Sequence, residues 1–377
     1  MAIYSVFTSH DTSDHHTFPL AAIGVRMPGV RYQVEAARGD DEQTARMADE
    51  VRRGLLAHPR SLPSKYFYDD RGSRLFEDIT RLPEYYLTRT EEALLASIAD
   101  EVVARVRPAE LVELGSGAGR KIRTLLGAMA RAGRGERCVL LDINERFLAD
   151  STRALARDFP AFAVRGVVGD FLGDLSMLGP GGGAGGGAGG GGGRLAVFFA
   201  STIGNLHPDE VPPFLARVAQ HLASGDAFLV GVDLVKDVAR LEAAYNDAAG
   251  VTAEFNRNIL RVVNERLGAD FDPEAFAHVA FFDRERSWIE MRLRSLKLQG
   301  VRIPAAHLDV AFEAGEEIRT EISCKYSWET FTALLPGTGL ALESWYTDPD
   351  ELFALALLGR RVAGAGTTAR ADDGRSP

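Results

Sequence analysis

Apolar and polar residues follow two different rhythms along this chain. Over residues 41–56 the apolar positions recur at helical spacing, which predicts an amphipathic helix. From Ala109 the pattern becomes an apolar run, a glycine turn and a helical segment, as in AELVELGSGAG with RKIRTLLGAMARA, and then CVLLDIN with ERFLADSTRALARDF. Apolar runs that alternate with helices predict βαβ units and a parallel sheet.

The same rhythm resumes after a glycine tract. RLAVFFASTIGN and AFLVGVDLV predict two buried strands, and EVPPFLARVAQHL predicts the helix between them. After Lys236 the pattern changes to mixed helix and antiparallel-type strands such as WIEMRLRSLKL and IRTEISCKY, which predicts a cap inserted late in the sheet. SWETFTALLPGTG then predicts a helix, and LALESWYTD a strand that restores the sheet edge. The expected fold class is α/β, a Rossmann-like doubly wound sheet with a second α+β domain.

The chain is long enough for two domains, since it has 377 residues of which 46% are apolar. Residues 1–36 mix Ser, Thr, His and Asp without periodicity, and a run of glycines follows Pro180. We expect a disordered N-terminal extension (1–36), a substrate-binding domain (37–88 with 236–324), a Rossmann-like domain (89–235 with 325–363), a flexible glycine-rich loop (179–194) and a flexible tail (364–377).

Charge and cysteine content narrow the classes of partner. The chain has 43 basic and 53 acidic residues, and its net charge of −10 repels phosphate backbones and anionic lipids. We therefore expect neither a nucleic-acid nor a membrane partner. The two cysteines, Cys138 and Cys324, form neither a disulfide framework nor a CxxC pair, and no leader-like or membrane-spanning run occurs, so we expect a cytoplasmic monomer.

The segment 113–119, ELGSGAG, lies at a predicted turn from strand to helix. Glycines there permit a tight turn and a close approach of backbone to a ligand, whose negative group meets free N–H groups at the helix start. A dinucleotide turn would have GxGxxG, whereas GxGxG with an acidic residue two positions ahead is closer to enzymes that use S-adenosylmethionine (SAM). Taken alone, the motif is also compatible with a purely structural turn.

Three further strand ends carry polar groups. Asp142 ends one predicted strand, where its two carboxylate oxygens match a ribose diol. Asp170 and Phe171 end the next, where a carboxylate can accept from the adenine amino group and a backbone N–H can reach a ring nitrogen. Asn205, in STIGN, ends a fourth strand and would face the transferable methyl group. Each aspartate alone could be a helix N-cap, and Asn205 a turn residue, but their order along one edge favours a cofactor site.

The chain resembles the ergothioneine-pathway histidine Nα-methyltransferases, a histidine-specific SAM-dependent family. The resemblance covers residues 62–358 and is carried by KYFYDDRGSRLFEDITRLPEYYLTRTE, ELGSGAGRKIRTLL, STIGNL, GVDLVKD, GVTAEFNRNIL and FEAGEEIRTEISCKY. It implies a class I SAM-dependent methyltransferase fold. It also implies three methyl transfers from SAM to the α-amine of L-histidine, which give hercynine, with S-adenosyl-L-homocysteine (SAH) as the product of the cofactor.

The resemblance further implies which residues form the site. The matching cofactor positions are Tyr68, Gly115, Lys121, Asp142, Asp170 and Phe171, with Lys121 paired to the cofactor carboxylate. The matching acceptor positions are Tyr85, Asn205, Tyr245, Met291, Glu321 and Ser323. Asn205 and Tyr245 can hold a carboxylate, while Glu321 and Ser323 can bond an imidazole. Without the resemblance, Tyr245 could be an ordinary aromatic on a helix face, Met291 core filler and Glu321 a solvated strand residue.

The expected chemistry needs a neutral amine, because an ammonium has no lone pair to attack the methyl carbon. Tyr68 is the candidate catalytic residue, guiding the amine through its hydroxyl or attracting the sulfonium to its ring face. No metal is expected, since the eight histidines form no cluster with ligand spacing.

Two departures from the family pattern bear on the outcome. Ala200 stands where the family commonly has Gly, and an extra glycine follows ELGSG. The methyl group of Ala200 would tighten the pocket near the amine, which leaves the number of methyl transfers open. Two other functions also stay open: methylation of another amino acid such as a tryptophan derivative, and SAM binding without catalysis.

Overall fold

The computed structural model describes residues 22–23, 32–36, 40–173, 175–179 and 192–361. The tail 364–377, most of the glycine tract and most of residues 1–31 lie outside this part of the chain, and so do the expectations made for them.

Within the described residues, nine strands form one sheet. The strands are β1 (Ala22–Ile23), β2 (Tyr32–Ala36), β4 (Pro108–Leu114), β5 (Arg137–Asp142), β6 (Ala163–Val168), β7 (Gly193–Phe198), β8 (Ala227–Asp233), β14 (Leu340–Thr347) and β15 (Phe353–Arg360). Their order in the sheet is β1-β2-β6-β5-β4-β7-β8-β15-β14. Strands β2, β6, β5, β4, β7 and β8 are mutually parallel, and β15 inserts antiparallel beside β8.

Helices cover both faces of this sheet, so its inner strands are predominantly apolar. One face packs against α3 (Tyr86–Val106), α4 (Ile122–Arg131) and α5 (Glu145–Asp158), and the other against α6 (Val211–Gln220) and α9 (Trp328–Thr332). All seven residues of β8 are buried, as expected for a strand with helices on both faces. The Rossmann-like doubly wound prediction is confirmed, and β14 lies at the sheet edge as the sequence predicts.

A second group of elements has its own apolar core and lies over the carboxyl ends of the parallel strands. Its core residues come from the ranges 47–87 and 241–318. They belong to a four-stranded sheet in the order β3-β13-β10-β9, a two-stranded sheet and four helices. These elements are α1 (Asp40–Leu56), β3 (Arg60–Ser61), α2 (Asp70–Ile79), α7 (Val238–Tyr245), α8 (Val251–Leu267), β9 (Phe276–Asp283), β10 (Trp288–Ser295), β11 (Gln299–Ile303), β12 (Leu308–Phe312) and β13 (Glu317–Cys324).

Short 3₁₀ helices connect these elements at Ser64–Phe67, Ser176–Leu178, Thr202–Asn205, Pro273–Ala275 and Pro304–Ala306. One expected domain boundary, between residues 88 and 89, falls inside α3, because the apolar stripe of that helix is continuous across it. The division into two domains otherwise stays a prediction.

The expectation that residues 1–36 form a disordered extension is wrong for the short β1 and for residues 32–36. Residues 32–36 form β2, which pairs in parallel with β6 over five residues. Tyr32 and Val34 pack against the core beside α5, and the Arg165 Nη2–Glu35 Oε2 distance is 2.6 Å. The segment is too short to show a clear period in the sequence, so pairing with the exposed edge of β6 decides its structure.

Truncation tests the contribution of β2. A chain that begins at residue 30 keeps β2, whereas one that begins at residue 40 exposes the edge of β6 and the apolar surface under Tyr32 and Val34. We expect the shorter chain to melt about 4 °C lower, which corresponds to a loss of roughly 2 kcal/mol. Calorimetry of both truncated chains measures the difference, and equal melting temperatures would contradict a packed β2.

Candidate active site

A cavity lies where the second group of elements covers the carboxyl ends of the parallel strands. This is the place where open α/β sheets bind ligands, beside the strand at which the order of connections reverses. Strand β4 is that strand here, because β5 follows on one side and β7 on the other. The cavity extends from the glycine turn after β4 to the polar face of β13, so one continuous space joins the two parts of the protein.

The glycine turn forms the floor at one end of the cavity. Gly115 and Gly117 have φ angles of 72° and 48°, a left-handed conformation that side chains disfavour. Asp142, at the end of β5, holds this turn: one carboxylate oxygen accepts from the Gly117 N–H at 2.7 Å, and the other from the Asn144 N–H at 2.9 Å. Both oxygens keep a lone pair for a ligand, so the residue is placed as expected for a diol.

Asp170 and Phe171 line the same end, beyond β6. The Phe171 ring meets the Phe198 ring edge-on, with 5.0 Å between centroids. Asp170 is more heavily bonded than the sequence suggests, because one oxygen accepts from the Leu172 N–H at 2.9 Å and the other from Lys65 Nζ at 3.0 Å. Lys65 comes from the second group of elements, so its ion pair with Asp170 ties that group to the sheet beside the cavity.

Aromatic rings form the middle of the cavity. Tyr68 meets Phe76 and Phe255 edge-on, with centroid distances of 5.7 and 5.6 Å, and Tyr85 meets Tyr245 at 6.4 Å. Burial, followed by the negative charge of Glu321, raises the pKa of Tyr68 well above its ordinary value. The Tyr68 phenol therefore stays protonated near neutral pH and can orient a ligand without acting as a resting base.

The turn after β7 brings Asn205 to the cavity wall. Ala200 and Ser201 have φ angles of 61° and 54°, so two consecutive residues with side chains adopt the left-handed conformation. Next to Asn205, a Cβ on Gly204 would come within 2.8 Å of the Cys324 carbonyl oxygen, so only glycine lets this turn pack against β13. The positive φ at Ala200 accounts for the glycine that the family commonly has there.

Lys121 is the one expected site residue that does not line the cavity. Its ammonium instead donates to Glu91, a fully buried carboxylate on α3. Both oxygens of Glu91 also accept from the Ala200 N–H, at 2.9 and 3.0 Å. Because an unpaired carboxylate is costly to bury, Lys121 neutralises the group that holds the strained turn.

The far end of the cavity is formed by β13 and its neighbour β10. Glu321 and Ser323 both line it, and Met291 lies opposite Glu321 in the register of the two strands. Burial raises the pKa of Glu321 to about 7, against the opposing positive charge of Lys325. The Tyr245 and Ser323 hydroxyl oxygens are 2.8 Å apart and share one hydrogen bond.

Eleven of the twelve expected site residues thus line one cavity, at its two ends or its middle. The sequence did not predict Lys65, which itself lines the cavity. It also did not predict Glu91, Asp233 and Lys325, which lie outside the lining and hold lining residues or one another. Two of these carry a signal in the sequence. Glu91 lies on the same helical face as the apolar Leu87, Leu94 and Leu95, and Lys325 follows Glu321 and Ser323 at the spacing of two that marks one face of a strand.

The arrangement can bind an amphiphilic nucleoside-type cofactor at one end and a small polar acceptor at the other. The glycine turn, a free pair of carboxylate lone pairs and the Phe171 ring fit the first, while Glu321, Ser323, Asn205 and Tyr245 fit the second. Among the described residues, no cluster of three or more His, Cys, Asp or Glu side chains could hold a metal ion. In the same part of the chain, no helix has the length and apolarity needed to cross a bilayer.

Comparison with known proteins agrees with this geometry. Residues 47–360 match the model of a family described as histidine-specific, SAM-dependent methyltransferases. Histidine N-alpha-methyltransferase of Mycolicibacterium smegmatis is 46% identical over 320 residues, which cover 84% of this chain and 96% of that protein. Its namesake in Mycobacterium tuberculosis is 43% identical, with 87% and 99% covered. Ergothioneine biosynthesis protein 1 of Neurospora crassa is 30% identical across 80% of this chain but only 33% of its own length.

Replacing Asp142 tests the cofactor end. In Asp142→Ala the carboxylate that ties the glycine turn to β5 is lost together with its free lone pairs. We expect SAH affinity to fall by about 5- to 150-fold, equivalent to roughly 1–3 kcal/mol, in a protein that still folds. Calorimetry measures this, with Asp209→Ala, an exposed aspartate outside the cavity, as the matched control. Unchanged affinity in a folded Asp142→Ala protein would remove the residue from the site.

The raised pKa of Glu321 predicts how stability depends on pH. The folded carboxyl has a pKa of about 7 against an ordinary 4.5, so its ionisation costs folding free energy as pH rises through that window. We expect the free energy of unfolding of Glu321→Gln to be about 1–2 kcal/mol larger than that of the wild type at pH 8.5. This difference should shrink toward pH 5. Urea unfolding at both pH values measures it.

Glu317→Gln on the same strand provides a control of opposite sign. Burial alone would raise the pKa of Glu317, but hydrogen bonds from Arg292 and Arg294 outweigh burial and lower it. The ionised form of Glu317 therefore stabilises the fold at high pH. This variant should be the less stable one at pH 8.5. A Glu321→Gln variant that is also less stable at pH 8.5 would contradict the raised pKa.

Proposed function

The chain belongs to the histidine-specific, SAM-dependent methyltransferase family, and we propose that it methylates the α-amine of L-histidine with SAM as the donor. The observation that carries the proposal is the continuous cavity that joins the strand-end carboxylates to the polar face of β13. In this proposal the donor binds at the sheet edge, and the acceptor amino acid binds against the second group of elements. SAM supplies the electrophilic methyl group, and SAH remains as the product of the cofactor after the transfer.

At the cofactor end, the proposal assigns each residue a binding role. Asp142 accepts hydrogen bonds from the ribose hydroxyls, and Gly115 lets the backbone approach the ligand closely. Asp170 and Phe171 contact the adenine, with the Asp170 side chain held in place by Lys65. Lys121 acts through Glu91 and the turn at Ala200, in place of the direct contact that the family resemblance implies.

At the acceptor end, Asn205 binds the carboxylate of histidine, Glu321 and Ser323 bind its imidazole, and Tyr245 hydrogen-bonds Ser323. Their positions support these roles, because Asn205 lies on the turn after β7 in the main sheet, whereas Glu321 and Ser323 lie on β13 in the second sheet. Met291 and Tyr85 fill the apolar space around the ring. An amino acid bound this way presents its amine toward the sheet edge.

The reaction is a displacement at the methyl carbon by a neutral amine. Positioning supplies much of the rate, since holding two reactants in line can contribute about 7–11 kcal/mol in favourable cases. Tyr68 orients the amine through its hydroxyl, which stays protonated because burial raises its pKa. The faces of the surrounding rings attract the positive charge of the sulfonium.

The proposal extends to three successive transfers, with hercynine as the product and ergothioneine synthesis as the pathway. It is supported by the relationship to Ergothioneine biosynthesis protein 1 and to the two mycobacterial enzymes. Ala200 bears directly on the count, because its methyl group lines the cavity where the amine would gain bulk. We also propose that the protein acts as a cytoplasmic monomer, consistent with two buried and unpaired cysteines.

Incubation of the purified protein with SAM and each amino acid in turn tests this function. Mass spectrometry should show methylated histidine with up to three added methyl groups, and no product from tryptophan, 4-substituted tryptophans or phenylalanine. Methylation of an indole amino acid instead of histidine would replace the proposal with the alternative acceptor. Binding of SAM without any methylated product would make the chain a binding module.

Replacing Glu321 tests the assignment of the acceptor pocket. In Glu321→Ala the imidazole loses a hydrogen-bond acceptor, so kcat/KM for histidine should fall by about 5- to 150-fold while SAH affinity stays unchanged. Discrimination against phenylalanine should also fall, because the unpaired carboxylate that rejects it is gone. Glu317→Ala, four residues earlier on β13 and outside the cavity lining, should keep both values. Wild-type selectivity in Glu321→Ala would make Glu321 an ordinary strand residue.

A further inference from the structure

A buried lysine lies directly behind the polar face of β13. Lys325 does not line the cavity, and its side chain is fully buried. Its ammonium has three hydrogen-bond acceptors: Asp233 Oδ2 at 2.8 Å, Ser323 Oγ at 2.7 Å and Tyr245 Oη at 3.0 Å. Two of these three partners belong to the acceptor pocket of the proposed function, on which this inference rests.

The direction of these bonds is fixed by the chemistry of the groups. An ammonium has three protons and no lone pair, so Ser323 and Tyr245 must each accept from Lys325. Their hydroxyl protons therefore point away from the lysine. One proton serves the 2.8 Å bond between the two oxygens, and the other is available to the cavity.

The pair consequently keeps one donor proton for the cavity, whichever of the two oxygens donates in the bond between them. When Tyr245 donates to Ser323, both lone pairs of the serine oxygen are used, and Ser323 can only donate to a ligand. Glu321, two residues earlier on the same face of β13, offers acceptor oxygens instead. One wall thus presents a donor and an acceptor next to each other.

We propose that Lys325 is a specificity-determining positioning residue: by holding Ser323 and Tyr245 as donors, it selects a neutral imidazole. One ring nitrogen then accepts from the Ser323–Tyr245 pair, while the ring N–H donates to Glu321. An indole or a pyrrole has the N–H but no ring acceptor, and a phenyl ring has neither. An imidazolium has two N–H groups and no ring acceptor. Its second N–H would therefore face the hydroxyl donor of the Ser323–Tyr245 pair.

Asp233 and Lys236 complete the buried cluster and provide a matched control. Lys236 Nζ also pairs with Asp233, and it donates to Tyr86 Oη at 2.7 Å, but it contacts neither Ser323 nor Tyr245. Because Tyr86 also donates to Asp233, at 2.8 and 2.9 Å, that carboxylate keeps partners when either lysine is removed. Lys325→Met and Lys236→Met therefore remove the same charge from the same cluster, and only the first releases the two hydroxyls.

The test compares L-histidine with the 2-yl and 3-yl isomers of pyrrolylalanine, which carry one ring N–H and no ring acceptor. In the wild type, kcat/KM should favour histidine by about 100-fold or more. Lys325→Met should reduce that ratio below about 10-fold without changing SAH affinity. Without the lysine, the Ser323 and Tyr245 hydroxyls can turn to suit a ring that lacks an acceptor. Lys236→Met should keep the wild-type ratio.

Two results would overturn the inference: an unchanged ratio in Lys325→Met, or an equal loss of the ratio in Lys236→Met. Either leaves the proposed function intact as long as the wild type methylates histidine, whereas a wild type that does not methylate histidine refutes the function itself. If Lys325→Met does not fold, ¹⁵N NMR of ring-labelled histidine bound to the wild type with SAH decides the question. One protonated and one unprotonated ring nitrogen are expected, and two protonated nitrogens would overturn the inference.

Discussion

A fully buried ion pair between Lys325 and Asp233 joins the two halves of this active site. Asp233 ends β8 in the main sheet, and Lys325 directly follows β13 in the second sheet, with 2.8 Å between Nζ and Oδ2. Two buried charges are stable only when each is paired and hydrogen-bonded, so the pair fixes how closely the two sheets approach. Within the main sheet, the Ser201 hydroxyl oxygen accepts from the Asp233 N–H at 2.9 Å, which holds Asp233 beside the turn after β7. The shape of the acceptor pocket depends on how closely the two sheets approach each other at this ion pair.

The turn after β7 depends on a similar arrangement. Glu91 and Lys121 form a buried ion pair beneath the turn at Ala200, and Glu91 accepts the backbone N–H of that turn. The left-handed conformation of Ala200 and Ser201 is strained, and surrounding bonds must maintain it. The acceptor end and the turn at Ala200 are thus both shaped by buried charges that do not themselves line the cavity. Several residues that line the cavity are held in place by partners outside its lining.

The sequence predicted the cavity lining well and its supports poorly. Asp142, Asp170 and Asn205 follow apolar strands of a βαβ rhythm, and parallel strands bring their carboxyl ends to one edge, so topology alone places them. Glu321 and Ser323 depended on family resemblance, because one antiparallel strand gives no reason to face a particular cavity. The pairing of Lys121 with Glu91 was not predictable, because Glu91 lies 30 residues earlier on a different helix. Strand β2 was missed because only the free edge of β6 makes five residues into a strand.

The central claim is that one cavity holds the methyl donor and histidine with the amine directed at the sheet edge. A crystal structure of the protein with SAH and L-histidine tests it most directly. We expect the imidazole between Glu321 and Ser323, the carboxylate at Asn205, and the amine nitrogen facing the sulfur of SAH. Histidine bound with its ring toward the sulfur, or outside this cavity, would contradict it.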